Sequence, residues 1–270
     1  MSYTTKNANS NTSYDQRIFS IDSKKRSDTL GSVSDFRTST FLPRDHDFDR
    51  ITCLQVNLPK AWYMLDNDAT FQLNEATGTV NTTVTIAGGR NYTSAEMETA
   101  LAAALTAASA TGANSFTYTV AFSAASGKFT ITASSGDFTL TFNSTSDANK
   151  SIAKYLGFTE GVVSASSASS VLISANVVNF QRYDVLYVRS DMANNGGDDL
   201  LCSIYIGKTI DLAYVQWDTP DAKYFSVGLS DTVSSCSRFS LVDGDGKLVP
   251  MNGINWQLTV QAFKSDRNFN

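Results

Sequence analysis

The chain has three cysteines, four prolines and one histidine in 270 residues. Each scarcity removes a class of chemistry. Cys53, Cys202 and Cys236 are odd in number and far apart, which fits neither a disulfide framework nor CxxC zinc spacing. They read as buried thiols of a reducing compartment. A lone histidine excludes a His-rich zinc site and leaves no Cys–His pair to propose as a nucleophile. That residue, His46 in PRDHDFD, reads as an exposed loop position. No run approaches the roughly 18 apolar residues of a membrane span. The opening stretch MSYTTKNANSNTSYDQ lacks an apolar core and predicts no signal peptide. The sequons at Asn11, Asn81, Asn91, Asn143 and Asn149 then read as Ser/Thr-rich composition rather than glycosylation.

Charge is sparse as well. Charged residues make up 17% of the chain, the net charge is -5, and the sequence pI is about 4.9. That balance argues against direct nucleic-acid binding. The apolar share of 42% suffices for a core in one or two domains. The expectation is a soluble protein made inside a cell.

The remaining texture is that of strands. Residues 1–17 are polar and predict a flexible N-terminal arm. From 18 onward, segments such as DFRTSTFL (35–42) and RITCLQVNLP (50–59) alternate apolar and polar residues. The uneven alternation around Cys53 and Leu54 predicts a strand covered on both sides or bulged. Further strands are predicted over 184–191, 200–207, 223–230, 237–244 and 255–263. Short strands at this spacing predict an antiparallel sandwich.

The middle of the chain differs. Residues 68–175 hold 11 of the 47 charged residues. Thr93 and Glu96 stand at capping-box spacing, followed by Met97, Leu101, Leu105 and Ala108 on one face and Gly112 at the end, which predicts a helix. A strand through Val80, Thr82, Val84 and Ile86 precedes it. Three strands follow, with Phe116, Tyr118, Val120 and Phe122 on one face, then Phe129, Ile131 and Ala133, then Phe138, Leu140 and Phe142. SAASGK and SSGD read as their hairpin loops. A second helix in DANKSIAKYLGF ends at Gly157, with Phe158 placed to fold back on it. Residues 80–160 thus predict a compact β-α-β-β-β-α unit, and GVVSASSASSVLIS (161–174) a polar loop. The predicted fold is mainly β: a single jelly-roll β-sandwich, 18–67 with 177–270, carrying a small α+β insertion domain at 71–175.

Candidate sites are few. DGDGK (243–247) hints at a calcium loop, but neither ligand frame completes: one puts Lys247 and Leu248 at positions 5 and 6, the other Leu241 and Asn252 at positions 1 and 12. A turn between strands fits better. TIAGGRNYT places Gly88 and Gly89 between a strand and a helix N-terminus, but the Walker pattern is absent. Asp198/Asp199 and Asp218/Asp221 could in principle serve a glycosidase, yet both pairs sit in turn-like stretches. GxSxG and SxxK are missing from any strand-turn-helix context. The alternating aromatics read as core. No catalytic residue, metal site or cofactor is predicted.

The order of motifs carries more than any one of them. FSIDSKKRSD, SDFRTST, ITCLQVNLPKAWYML, GGRNYTSAEMETALAAAL, KFTIT, YLGF, LYVRSDM and SRFSLVDGDGKLVPMNGINWQLTV occur in series over roughly residues 18 to 262. This series resembles the penton (vertex minor capsid) proteins of small icosahedral viruses with double-jelly-roll major capsid proteins, such as virophages and polinton-like viruses. The resemblance implies a capsid structural protein of the virion, not an enzyme. It implies a homopentamer at the five-fold vertex that contacts the major capsid protein and other minor capsid proteins, with the insertion facing outward, where it could serve host recognition. Two other classes remain open: a trimeric fibre-head or spike-like receptor- or carbohydrate-binding protein, and a glycan-processing enzyme on a β-sandwich.

Overall fold

The computed structural model describes residues 2–4, 16–27, 31–40, 42, 47–75, 81–112, 114–142, 151–165, 170–194, 196, 198–207, 213–230 and 235–265. The chain divides into two compact units, residues 1–62 with 183–270, and residues 63–182. Each unit has its own apolar core, and the two cores share no residue.

In chain order the first unit opens with β1 (Ser2–Thr4), β2 (Gln16–Asp22), β3 (Asp35–Ser39) and β4 (Arg50–Pro59). The second unit contributes β5 (Ala69–Glu75), β6 (Thr82–Ile86), helix α1 (Ser94–Thr111), β7 (Tyr118–Ser123), β8 (Lys128–Ala133) and β9 (Phe138–Phe142). It ends with helix α2 (Ile152–Leu156), β10 (Gly161–Ser164) and β11 (Val171–Ile173). The chain then returns to the first unit with β12 (Val185–Ser190), β13 (Ala193–Asn194), β14 (Leu200–Tyr205) and β15 (Tyr214–Asp218). It closes with β16 (Val227–Leu229), β17 (Cys236–Val242) and β18 (Gln257–Phe263).

The first unit is a jelly roll. One sheet runs β1-β2-β18-β4-β16-β13, with β15 also on β4, and the other runs β14-β12-β17-β3. The chain repeatedly changes sheet, and every pairing is antiparallel. β15 and β16 lie along β4 as one interrupted strand, opposite Gln55–Pro59 and Arg50–Ile51 respectively. Inward residues of both sheets meet in a core that includes Ile21, Phe36, Val56, Leu186, Phe239, Trp256 and Val260. Phe36 meets Trp256 edge-on at 5.7 Å, and the Trp256 indole N–H donates to the Val33 carbonyl at 2.9 Å. A buried indole needs such a partner, because leaving the donor unmet costs more than the bond's net contribution.

The irregular alternation in RITCLQVNLP has a geometric cause. The register of β18 on β4 shifts between Thr259 and Val260, which lie opposite Gln55 and Cys53 and leave Leu54 as the extra residue of a bulge. The Leu54 carbonyl accepts instead from the Thr219 N–H at 2.9 Å.

Residues expected to form an arm enter this sheet. Ser2–Thr4 pairs with Arg17–Phe19 of β2, and Gln16 and Arg17 already belong to β2. Strand pairing is made by backbone groups, so a polar segment with too few apolar side chains for a core can still add an outer strand.

In the second unit, α1 is capped as predicted. Glu96 N–H donates to the Thr93 hydroxyl at 3.3 Å, and Thr93 N–H donates to Glu96 Oε2 at 2.8 Å. Met97, Leu101, Leu105 and Ala108 form its buried face. The α2 end also matches: Gly157 has φ 75°, Phe158 N–H donates to the Ala153 carbonyl, and the Phe158 ring stacks on Phe142 at 5.5 Å.

Several expectations are corrected. β7, β8 and β9 do not form one meander: β8 pairs with β7 and with β11 in one sheet, whereas β9 lies between β10 and β5 in the other, with β6 beyond β5. SSGD is therefore a link between sheets, not a hairpin loop. The 161–174 segment is not all loop, since β10 and β11 lie within it as short edge strands. The strand expected over 223–230 is confined to Val227–Leu229, because residues 222–225 form a turn. Its missing length is supplied by β15, which the alternation did not single out.

Candidate functional site

Most chemical candidates are occupied by the fold itself. Asp243 is 6% exposed, and its Oδ1 accepts from the backbone N–H groups of Asp245 at 3.0 Å and Lys247 at 2.9 Å. Gly246 N–H donates to the Asp243 carbonyl, with Gly246 at φ 76°. DGDGK is thus a tight turn closed by the Val242–Leu248 bridge. Its first carboxylate faces the turn's own amides.

The glycine pair is similarly used. Gly88 N–H donates to Asp68 Oδ1 at 2.8 Å, and Gly89 N–H to the Leu65 carbonyl at 2.7 Å. These are the amides a phosphate would need. At the helix start, Arg90 lies 4.5 Å over the Tyr92 ring and 3.8 Å from Glu96. The Thr93 backbone and hydroxyl bonds hold the Glu96 carboxyl below its ordinary range.

The carboxylate pairs serve local structure. Asp198 and Asp199 both approach Arg189 Nη1, at 3.6 Å and 2.9 Å. Asp221 Oδ1 accepts from Lys223 N–H and Tyr224 N–H, as a turn cap. Asp218 accepts from Gln216 at 3.3 Å. His46 lies outside the described residues. Among the described residues, no group of three or more His, Cys, Asp or Glu side chains is placed to hold a metal ion, and no helix is long and apolar enough to cross a membrane.

None of the three cysteines is in a disulfide; Cys53 is buried, and Cys202 and Cys236 are half-buried. Cys202 packs against the jelly-roll core, and its hydrogen bond with Cys53 and its burial push the thiol up. Sequence separation concealed that β4 and β14 bring these two together.

The feature that sequence reading missed is on the surface. Tyr205, Tyr214, Tyr224 and Phe225 of the jelly roll are exposed rather than core. They lie at the end of β14, the start of β15 and in the turn before β16. Periodicity could not find them, because an outward aromatic has the same letters as an inward one. On the other side of the sandwich, Lys24, Lys25 and Arg37 are exposed on the 3-10 turn Ser23–Lys25 and on β3.

No protein-family model matches the chain, and no curated protein matches it. Among solved structures, the chain is similar to the crystal structure of the selenomethionine-labelled mavirus penton protein. Identity is 12%, the TM-score is 0.54, and the match covers 94% of this chain and 100% of the other. The chain has the fold of a virophage penton protein. It is also similar to a chain of the 3.5 Å cryo-EM structure of the Sputnik virophage, with 7% identity, a TM-score of 0.46, and 93% and 98% of the two chains covered. The resemblance read from the order of motifs and the mainly β jelly roll are both borne out.

Proposed function

We propose that this chain is a structural capsid protein, a penton that forms a homopentamer at the five-fold vertices of an icosahedral virion. The single observation that carries the reading is the penton-like fold extending over nearly the whole length of both chains. Its role is architectural: it fills the vertex and contacts the surrounding double-jelly-roll major capsid proteins and other minor capsid proteins. Residues 63–182 are the outward-facing insertion, a compact appendage with its own core. The protein is synthesised in the host cytoplasm and ends in the virion. Its cysteines, none in a disulfide, suit folding under reducing conditions.

A vertex protein must expose surfaces as a monomer that neighbours later cover, and the exposed aromatics of the jelly roll fit that requirement. The test is native mass spectrometry of the purified full chain, alone and mixed with its major capsid protein. A ring of five copies is expected. Three copies would favour a fibre head, and a monomer that joins no capsid would end the vertex reading.

A further inference from the structure

The two lateral sides of the jelly roll differ in chemistry. On one side lie the edge strand β14, the interrupted β15–β16 strand and β13, which packs beside β14. Among the described residues, β14 pairs only with β12 and β15 only with β4. Six large apolar side chains among the described residues of this unit are exposed, and four of them are here: Tyr205 (73%), Tyr214 (64%), Tyr224 (81%) and Phe225 (52%). A monomer has no reason to gather its exposed aromatics along one pair of edges. Among the described residues, exposed Asp184, Asp218 and Asp221 stand among them with one exposed cation, Lys223, and two half-buried ones, Lys60 and Arg50.

The turn that carries the aromatic pair is held at both ends. Tyr224 and Phe225 meet edge-on at 5.3 Å. Asp221 caps their turn, and Arg50 clamps its end through Ser226, donating to the hydroxyl at 3.0 Å and to the carbonyl at 2.7 Å. A turn held in this way has less backbone entropy to lose on contact.

The opposite side carries β2 and β3, joined by the 3-10 turn that packs on β3. Among the described residues its exposed charges include the basic Lys24, Lys25 and Arg37. Among the described residues, the nearby carboxylates Asp35 and Asp22 are engaged. Asp35 is held by Arg238 at 2.6 Å and 2.7 Å, and Asp22 accepts from Lys24 N–H and Gln257. Part of the β3 edge is closed by Ser27 N–H on the Arg37 carbonyl, so this side offers side chains more than free backbone.

We infer that the aromatic, acidic side of one copy docks on the basic side of a second copy of this chain. Lys24, Lys25 and Arg37 of one subunit meet the tyrosine faces and the carboxylates of the next. Cations over aromatic rings and charge complementarity supply specificity. Two different patches on opposite sides of one body make a head-to-tail contact, which closes into a ring when the rotation permits. The inference rests on the penton reading and names the surface that reading leaves open.

The test uses the full-length chain and measures subunit assembly by native mass spectrometry and analytical ultracentrifugation. Replacing Tyr205, Tyr214 and Tyr224 by Ser should raise the subunit dissociation constant at least about tenfold, with the melting temperature of the dissociated subunit unchanged because these side chains are exposed. Reversing Lys24, Lys25 and Arg37 to Glu should dissociate the ring, as should reversing Asp184, Asp218 and Asp221 to Lys. Combining both reversals should restore it, which a folding defect would not do. A wild-type ring that survives all these changes would overturn this surface and leave the penton reading standing. A wild type that stays monomeric at every concentration and with its capsid partner would overturn both.

Discussion

The Tyr118 hydroxyl donates to Glu75 Oε1 at 2.8 Å, and the two residues belong to different sheets of the second unit. Both are buried, at 3% and 4% exposure. The Asn114 amide donates to the other oxygen, Oε2, at 2.8 Å. The Tyr118 ring meets Phe138 at a right angle, 5.2 Å between centroids, and Phe138 lies beside Glu75 in register. A carboxylate removed from water is tolerable only when donors meet it, so this contact fixes how the two sheets of the unit meet.

Tyr118→Phe therefore removes one charge-assisted hydrogen bond and should cost about 1.5–3 kcal/mol. The loss should appear as faster amide exchange in β5 and β7. The hydroxyl also predicts a pH dependence. Burial, followed by the Glu75 hydrogen bond and charge, pushes Tyr118 well above the usual tyrosine range. A raised folded-state value gives stability that is complete below the unfolded value of about 10. Above that pH the unfolded state releases a proton that the folded state keeps, and stability falls by about 1.4 kcal/mol per pH unit. Wild type should therefore lose stability above pH 10 more steeply than Tyr118→Phe. Parallel alkaline curves would contradict this account.

Gly88 and Gly89 should respond differently to alanine. A Cβ on Gly88 would fall 2.0 Å from the Asn67 carbonyl carbon, so backbone must move. A Cβ on Gly89 meets nothing within 4 Å, and only its φ of 67° is unfavourable. Gly89→Ala should cost about 1–2 kcal/mol, and Gly88→Ala more. Denaturant midpoints of the two variants, compared with wild type, give the order.

What was legible in the sequence follows the range of the forces involved. The capping box at Thr93 and Glu96 and the αL end at Gly157 are local, and sequence spacing carries them whole. β8 was readable because Phe129, Ile131 and Ala133 all face one core. β5 alternates equally well through Ala69, Phe71 and Leu73, but its last inward position is Glu75, which a hydrophobic pattern scores as outward. β15 has only Val215 buried, and the exposed Tyr214 blurs its polarity. The partner of β9 was not legible at all, since its choice of β5 over β8 rests on contacts far apart in sequence. The exposure of Tyr205, Tyr214 and Tyr224 was not legible either, because an outward aromatic has the same letter as an inward one.

The DGDGK turn should bind no calcium with useful affinity. Asp243 Oδ1 already accepts two backbone N–H groups, and a cation would have to compete with both. Titration calorimetry at millimolar calcium should show no heat, and the melting temperature should not rise. Asp243→Ala should instead cost about 1–2 kcal/mol with or without calcium, as lost capping bonds do. Stabilisation by calcium that disappears in that variant would contradict the assignment.

The jelly roll should fold and assemble without residues 63–182. The exit and re-entry points of the chain are adjacent: the Trp62 and Tyr183 rings meet edge-on at 5.7 Å, both within the jelly-roll core. A linker of about four Gly and Ser residues spans such a gap, since each residue of extended chain reaches roughly 3.3 Å. Closing so short a loop costs little entropy compared with the long excursion it replaces. The core of the remaining unit is intact, because none of its residues comes from 63–182. The deleted chain should melt cooperatively, show a β-rich circular dichroism spectrum, and form the same oligomer as the full chain by native mass spectrometry. Its incorporation into particles should persist while any surface activity of the appendage is lost. Failure to fold with this linker would show that the sandwich depends on the second unit. A folded sandwich that no longer assembles would place subunit contacts in residues 63–182, contrary to the contact between lateral sides inferred above.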